Sequence, residues 1–408
     1  MNKHNSVPNI RFRNFKDEWT EKKISNFIIK NSDKNKNLVI KNIESISNKT
    51  GFTKQSEQFD GYRVASQDIS NYYVISPNQF AYNPSRINVG SIAYKNKGED
   101  KSIISPLYIS FSTSSHINDH FLWFWFKTTS FKKQRIQFSE GGVRDTLPFE
   151  NLKKMDISFP LLQEQQKIGD FFSKLDKLLD LQQQKIDKLE LLKKALLQNL
   201  FPKHDTKIPE LRFKGFKNEW EKEKLKGYIE KVSGNDGRMN LPTLTISAAK
   251  GWMNQNERFS NNIAGKEQKN YTLLKKGELS YNHGNSKLFK YGVVYELINY
   301  DEALVPKVYH SFRVNSKASA RFIEYLFRGK KVDRELRKLV TSGARMDGLL
   351  NINFNNFENI KLYFPEKAEQ QKIGNLLSKV DRLIELENKK LKNLQQFKKC
   401  FLQNMFVE

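Results

Sequence analysis

The chain has 408 residues, 38% apolar and 28% charged, with 70 Lys and Arg against 45 Asp and Glu, a net charge of +25. That length holds two or three domains with proper cores, and the composition is that expected of a soluble, fairly polar globular protein. The excess charge lies mostly in two segments, with 24 basic against 15 acidic residues over 1–160 and 29 against 18 over 205–365, as expected where segments face a polyanion such as nucleic acid.

The first segment opens with Pro8-Asn9-Ile10-Arg11-Phe12-Arg13-Asn14-Phe15, then Glu18-Trp19. Tyr72 to Ile75, Phe80 to Asn83, Ser91 to Lys95 and Leu107 to Phe111 are short, rich in β-branched and aromatic residues and bounded by Pro, Asn, Gly and Ser, which predicts strands. His120 to Lys127 predicts a helix whose Phe121, Phe124 and Trp125 recur at helical spacing and belong to a core. A strand ending at Pro160 precedes Gln163 to Leu200. There Ile168, Phe172, Leu175, Leu179, Gln182, Ile186, Leu189, Lys193, Leu196 and Leu200 alternate at spacings of four and three, the seam of a coiled coil.

The same order then repeats. Pro209-Glu210-Leu211-Arg212-Phe213-Lys214-Gly215-Phe216 with Glu219-Trp220 answers the opening phrase, Tyr281-Asn282 answers Tyr82-Asn83, and Gly343-Ala344-Arg345 answers Gly142-Val143-Arg144. Ala320 through Leu339 predicts a longer helix in this copy. After Pro365 the seam returns as Ile373, Leu377, Val380, Ile384, Glu387, Leu391, Leu394, Lys398, Phe401 and Met405, each 205 residues beyond its counterpart. The chain is two copies of a domain-plus-helix unit: a first domain at 1–162, a helix at 163–204, a second domain at 205–366 and a helix at 367–408. Because the second domain lies between the helices and domain termini usually lie close together, the helices are expected to pair antiparallel, with a domain at each end. A rod of about 57 Å follows from 1.5 Å per residue, enough to separate two blocks read on a duplex by roughly 17 base pairs. Inserting one heptad in both helices is expected to widen that gap by about 10 Å. The polar seam positions Gln182, Glu387, Lys193 and Lys398 either fix register or mark places where the seam opens.

Several chemistries lack their motifs. There is no G-x-x-x-x-G-K-[ST] loop, no G-x-S-x-G elbow, and the six histidines and one cysteine show no metal-ligand spacing. Asn83-Pro84-Ser85 matches only the beginning of the Asn-Pro-Pro-aromatic signature of adenine methyltransferases. Cys400 permits no intramolecular disulfide, is expected as helix packing, and points to a reducing compartment. With neither a signal-like leader nor a membrane-length apolar run, the expected location is the cytoplasm.

Together, Pro-x-[Ile/Leu]-Arg-Phe-x-x-Phe-x-x-Glu-Trp, Tyr-Asn, Gln-Gln-Lys-Ile-Gly at 165–169 and 370–374, and the helix ending Leu-Gln-Asn-[Leu/Met]-Phe resemble the specificity subunit of type I restriction-modification systems, over nearly the whole chain and twice. The resemblance implies an α+β fold with two repeated α/β target recognition domains at opposite ends of an antiparallel two-helix coiled coil, related by a pseudo-twofold. It implies a non-catalytic subunit of a phage-defence system that binds double-stranded DNA at a bipartite target. It would assemble two adenine-N6 methyltransferase (modification) subunits and two ATP-dependent restriction (motor/nuclease) subunits. S-adenosylmethionine, ATP and Mg would serve those partners, with no cofactor, metal or catalytic residue in this chain and no membrane association.

Base reading calls for polar side chains in loops between strands. The candidates are Asn83, Ser85, Arg86, Asn88 and Lys95 with Arg144 in the first domain, and Asn282, His283, Asn285, Ser286 and Lys287 with Arg345 in the second. Arg144 and Arg345, being shared, suit phosphates, and the shared Tyr-Asn pairs suit scaffold. For the spacer and partner docking the candidates are Gln166, Ile168, Phe172, Leu175, Leu179, Ile186, Leu189, Gln371, Ile373, Leu377, Val380, Ile384 and Leu391. The competing reading is a basic coiled-coil scaffolding protein that reads no DNA sequence.

Overall fold

The computed structural model describes residues 7–48, 50–58, 68–141, 145–203, 206–259, 265–284, 286–340 and 350–407. The chain forms two compact units, residues 1–183 with 390–408, and residues 184–389. Each unit therefore combines one domain with part of both long helices.

Unit 1 contains β1 (Thr20–Lys23), β2 (Ile28–Lys30), β3 (Ile43–Ser47), β4 (Gly51–Lys54), α1 (Gln55–Gln58), β5 (Tyr73–Ile75), β6 (Gln79–Tyr82), β7 (Ile92–Tyr94), β8 (Ser102–Ile104) and β9 (Ile109–Thr113). After these come α2 (Asp119–Trp125), α3 (Thr129–Phe138), α4 (Phe149–Leu152) and β10 (Asp156–Phe159), and then the long helix α5 (Leu162–Asn199). The strands form two four-stranded sheets, β2-β9-β6-β7 and β4-β3-β8-β5, with β1 paired to β10. Every pairing is antiparallel except β3 with β8. Strand alternation sets the layers: Phe80 and Tyr82 of β6 enter the core against α2 and α5, while Ala81 between them faces the second sheet with Ala93, Ile46, Ile75 and Ile104.

Unit 2 repeats this with β11 (Glu221–Lys224), β12 (Ile229–Lys231), β13 (Leu244–Ser247), β14 (Gly251–Asn254), α6 (Gln255–Phe259), β15 (Thr272–Lys275), β16 (Leu279–Asn282), β17 (Val293–Glu296), β18 (Glu302–Val305) and β19 (His310–Val314). Next are α7 (Ala320–Arg328), α8 (Asp333–Leu339), α9 (Phe354–Glu358), β20 (Lys361–Phe364) and the long helix α10 (Lys367–Asn404). The sheet β12-β19-β16-β17 and the pair β11-β20 match their counterparts, and a parallel bridge between Thr243 and Leu304 stands where β3 meets β8. The single helix expected over 320–339 is broken into α7 and α8 at Gly329 and Lys330, where Lys330 takes the left-handed conformation (φ 59°).

Within unit 1, Phe171 packs on Phe401 and Phe172 on Phe406, and Asp176 pairs with Lys398, so the two helix segments run antiparallel. Within unit 2, Lys185 reaches Glu387 at 2.5 Å and Lys193 reaches Asp381 at 2.5 Å, giving the same direction. The seam residues read from the sequence are buried or half-buried along both helices. Cys400 is exposed, which corrects the expectation that it packs, because its position falls outside the seam. Among the described residues no helix is long and apolar enough to cross a membrane.

Candidate nucleic-acid interface

In both units the loop that follows the Tyr-Asn strand is tied to the segment beyond the Gly-rich stretch. Leu147 N donates to Pro84 O at 3.0 Å, and Leu350 N donates to His283 O at 2.9 Å. Tyr82, fully buried, donates its hydroxyl to Leu147 O at 3.0 Å, while Tyr281 donates to Tyr291 O at 2.6 Å. Burial pushes both phenols well above their usual range, so they remain neutral donors that hold the loops. The Tyr-Asn pair is thus scaffold at its tyrosine, and the loops it launches face solvent.

The candidate side chains divide by what they touch. Ser85, Arg86, Asn88 and Lys287 are exposed, and Arg86 and Lys287 put mobile cations where a duplex could meet them. Asn83 Oδ1 accepts from Ser85 N at 3.1 Å, and Asn282 Oδ1 accepts from Gly284 N at 3.0 Å, so both asparagines close their own turns. Asn282 Nδ2 also donates to Ile246 O at 3.2 Å. Ser286 Oγ accepts from Phe289 N at 3.0 Å, again a turn. Gly292 permits the close pass of β17: a Cβ there would lie 2.5 Å from Asn282 O. Arg144, Asn285 and Arg345 lie outside the described residues.

Two candidates are corrected by their burial. Lys95 is 1% exposed; its Nζ lies 2.7 Å from Glu44 Oε2 and 3.1 Å from Ser102 Oγ. It continues β7 by donating its amide to Gln79 O, so its side chain turns between the sheets and offers nothing to a base edge. His283 is 5% exposed, with Nδ1 2.7 Å from Leu350 O and Nε2 2.8 Å from Val308 O. Its ring also stacks on His310 at 4.9 Å. Burial, followed by the neighbouring charges of His283 and Lys231, pushes the His310 imidazole down to about 4, and its Nε2 lies 2.7 Å from Ile352 O. These histidines brace the segment 350–352 against β16 and β19. Among the described residues no cluster of His, Cys, Asp or Glu could hold a metal ion.

The motifs at the head of each long helix clamp domain to helix. Arg11 makes a bidentate pair with buried Glu164 at 2.7 Å, and Arg212 makes the same pair with buried Glu369 at 2.8 Å. Gln165 accepts from Asn118 N at 2.8 Å and donates to Pro160 O; Gln370 accepts from Ser319 N at 3.1 Å and donates to Pro365 O. The glycine four residues on has a steric reason. A Cβ on Gly169 would lie 2.8 Å from His120 Cβ, and one on Gly374 would lie 2.9 Å from Arg321 Cβ.

Of the spacer candidates, Ile168, Phe172, Ile373, Leu377 and Val380 join the domain cores. Leu175, Leu179, Ile186, Leu189, Ile384 and Leu391 are buried or half-buried along the seam, and Gln166 and Gln371 are exposed, Gln166 accepting from Asn118 Nδ2. The polar seam lysines form ion pairs: Lys193 and Lys398 meet Asp381 and Asp176, which also meet Arg328 at the end of α7 (2.8 Å) and Lys127 just beyond α2 (3.7 Å). Sequence reading missed Asp176 and Asp381, whose offset of 205 was the available signal. It also missed exposed Leu178, Leu181, Leu383 and Leu386, matched pairs on the outer helix faces.

A family model described as the type I restriction modification DNA specificity domain matches residues 16–191 and again residues 217–396. The chain is similar to the type I restriction enzyme MjaVIII specificity subunit of Methanocaldococcus jannaschii, 24% identical over 333 residues, which cover 76% of this chain and 74% of the relative. Among solved structures it is similar to the type I restriction-modification system S subunit from M. genitalium, with 14% identity and a TM-score of 0.61 over 98% of this chain and 99% of that one. It also matches the HsdS subunit from Thermoanaerobacter tengcongensis at 13% identity and a TM-score of 0.46, over 95% of this chain and 96% of that one.

Proposed function

Since the chain belongs to the type I restriction-modification DNA specificity family, we propose that each of its units reads one block of a bipartite DNA sequence while methylation and cleavage are carried out by other subunits. The observation that carries this is a shared support with unlike contents. Both units fasten the loop after Tyr-Asn to the segment at Leu147 or Leu350, yet one loop presents Ser85, Arg86 and Asn88 and the other Lys287. Identical scaffolds with different exposed polar groups are what two different base sequences require. Arg144 and Arg345, shortly before Leu147 and Leu350 in sequence, fit phosphate anchoring.

The partner subunits are proposed to be adenine-N6 methyltransferases using S-adenosylmethionine and motor nucleases using ATP and Mg. Leu178 and Leu181 on α5, with Leu383 and Leu386 on α10, offer two equivalent apolar places for two modification subunits.

Mapping methylated adenines in cells that carry the chain with its partners tests the reading. Arg86→Ala should relax one block of the target and leave the other intact, and Lys287→Ala should do the converse. Methylation of adenines without any common bipartite sequence is the result that defeats it.

A further inference from the structure

Unit 2 carries a basic cleft outside the recognition loops. It encloses about 420 Å³ where the end of α5, the β11-β20 pair and the α7–α8 turn meet. Six basic side chains, Lys203, Lys222, Lys330, Lys331, Arg334 and Lys361, line it, and Glu335 is the one carboxylate among its described lining residues. Glu335 is held by Lys338 at 2.7 Å.

The matching positions of unit 1 carry different charge. Lys222 lies opposite Tyr363 in its ladder, as Glu21 lies opposite Ser158 in the other unit. In the same ladders Lys361 corresponds to Asp156, and an offset of 201 sets Lys330, Lys331 and Arg334 against Thr129, Ser130 and Lys133 in sequence, although the first two lie in a turn in unit 2 and in α3 in unit 1. The packing beneath is common to both units: Phe201 on Trp220 at 6.2 Å, and Phe406 on Trp19 at 6.4 Å. Of these five positions two reverse sign, two are uncharged in unit 1 and one is basic in both units.

The cations are also crowded. Lys331 donates to Gln198 O at 3.1 Å, and burial followed by the charge of Lys203 pushes its ammonium below the usual lysine range, although Lys203 is itself paired with Glu210, which opposes the shift. A bound anion would favour the charged form of that half-buried ammonium. Lys330 connects the cleft to the candidate reading loop, with its Nζ 5.8 Å from the ring of Phe289, two residues beyond Lys287. That continuity favours a duplex backbone over an acidic protein segment.

We propose that this cleft holds phosphodiester groups of the duplex beside the block read by unit 2, so that backbone anchoring is unequal between the two halves. The inference rests on the DNA-reading function proposed above.

The test measures binding of the full chain to a labelled duplex bearing the mapped target, against salt concentration, by fluorescence anisotropy. The variant Lys222→Glu, Lys361→Asp carries the residues that unit 1 holds at the matching ladder positions. Lys222→Gln with Lys361→Gln serves as a milder variant, and thermal melts check that both fold. Loss of two phosphate contacts makes the slope of log affinity against log salt shallower by about 1.8 and weakens binding on the order of 30-fold at 0.15 M salt, with unchanged sequence preference. An unchanged slope in folded variants that keep their sequence preference overturns the proposal. So does an unchanged slope with lost modification-subunit assembly, the signature of an acidic protein occupant. A parent chain without sequence preference defeats the DNA-reading function itself.

Discussion

The buried lysine of unit 1 invites replacement by its counterpart in unit 2. Glu44, Lys95 and Ser102 form a polar triad between the sheets, with Lys95 and Glu44 side chains 1% and 12% exposed. Ladder register places Leu244, Leu297 and Ala303 at the same positions in unit 2, where all three are fully buried in one apolar cluster. Removing one charge strands the other in a poorly solvated place, so Lys95→Leu alone should cost about 3–5 kcal/mol. The triple replacement Glu44→Leu, Lys95→Leu, Ser102→Ala removes both charges and the hydroxyl together. It should be neutral or stabilising by up to about 4 kcal/mol, because the desolvation penalty of a buried pair rivals its attraction. Urea titration of the single, double and triple variants measures this, the coupling coming from the mutant cycle. A triple variant destabilised by the sum of the singles would refute the argument. DNA affinity should be unaffected by the triple variant; a selective loss of binding in a fully folded protein would return Lys95 to the reading surface.

Two further perturbations probe the supports of the loops and helices. Gly169→Ala and Gly374→Ala should each destabilise their own unit by about 1–2 kcal/mol despite better helix propensity, because the new methyl overlaps α2 or α7; unit-specific melting or proteolysis reads this. His310, its imidazole depressed from 6.5 to about 4 by burial, contributes stability that is fully present above pH 6.5 and is lost as pH falls towards 4. Denaturant midpoints across that window should fall by the equivalent of about 2–3 kcal/mol more in the parent than in His310→Gln, which keeps a donor for Ile352 O.

The repeat and the seam were legible because each depends on local spacing seen twice. Ile168 and Ile373, or Lys193 and Lys398, occupy one helical phase, and an offset held through both helices survives divergence elsewhere. The fate of single polar residues was not legible. Lys95 ends the strand predicted from Ser91 and adjoins the polar run Asn96-Lys97-Gly98, which suggests a position at the loop rim, while its partner Glu44 is 51 residues away in sequence. His283 likewise follows a strand end, and its acceptors at 308 and 350 are set by the tertiary fold. The helix expected across 320–339 failed at Gly329-Lys330, a weak local signal within a continuous apolar period. Arg86 and Lys287, by contrast with Lys95 and His283, are exposed.

The end of each long helix completes a core whose remaining parts lie far away in sequence. Phe406 stacks on Phe121 at 5.2 Å and meets Trp19 and Phe172 at 6.4 and 6.0 Å, so a residue near the C-terminal end of the sequence lies in the core of the N-terminal domain. Phe201 holds the corresponding place against Trp220 and Phe322. Phe406→Ala should therefore cost about 3–5 kcal/mol and be felt in unit 1, although its own helix begins in unit 2. Hydrogen exchange resolved by peptide distinguishes the outcomes: faster exchange in β1, β10 and α2 follows from this packing, whereas faster exchange confined to the last turns of α10 would mean that the helix end is not part of that core. The same substitution at Phe201 should loosen β11, β20 and α7. Each unit thus closes its core with the end of the other copy's helix, which couples correct helix pairing to the folding of both domains while leaving their exposed loops free to differ.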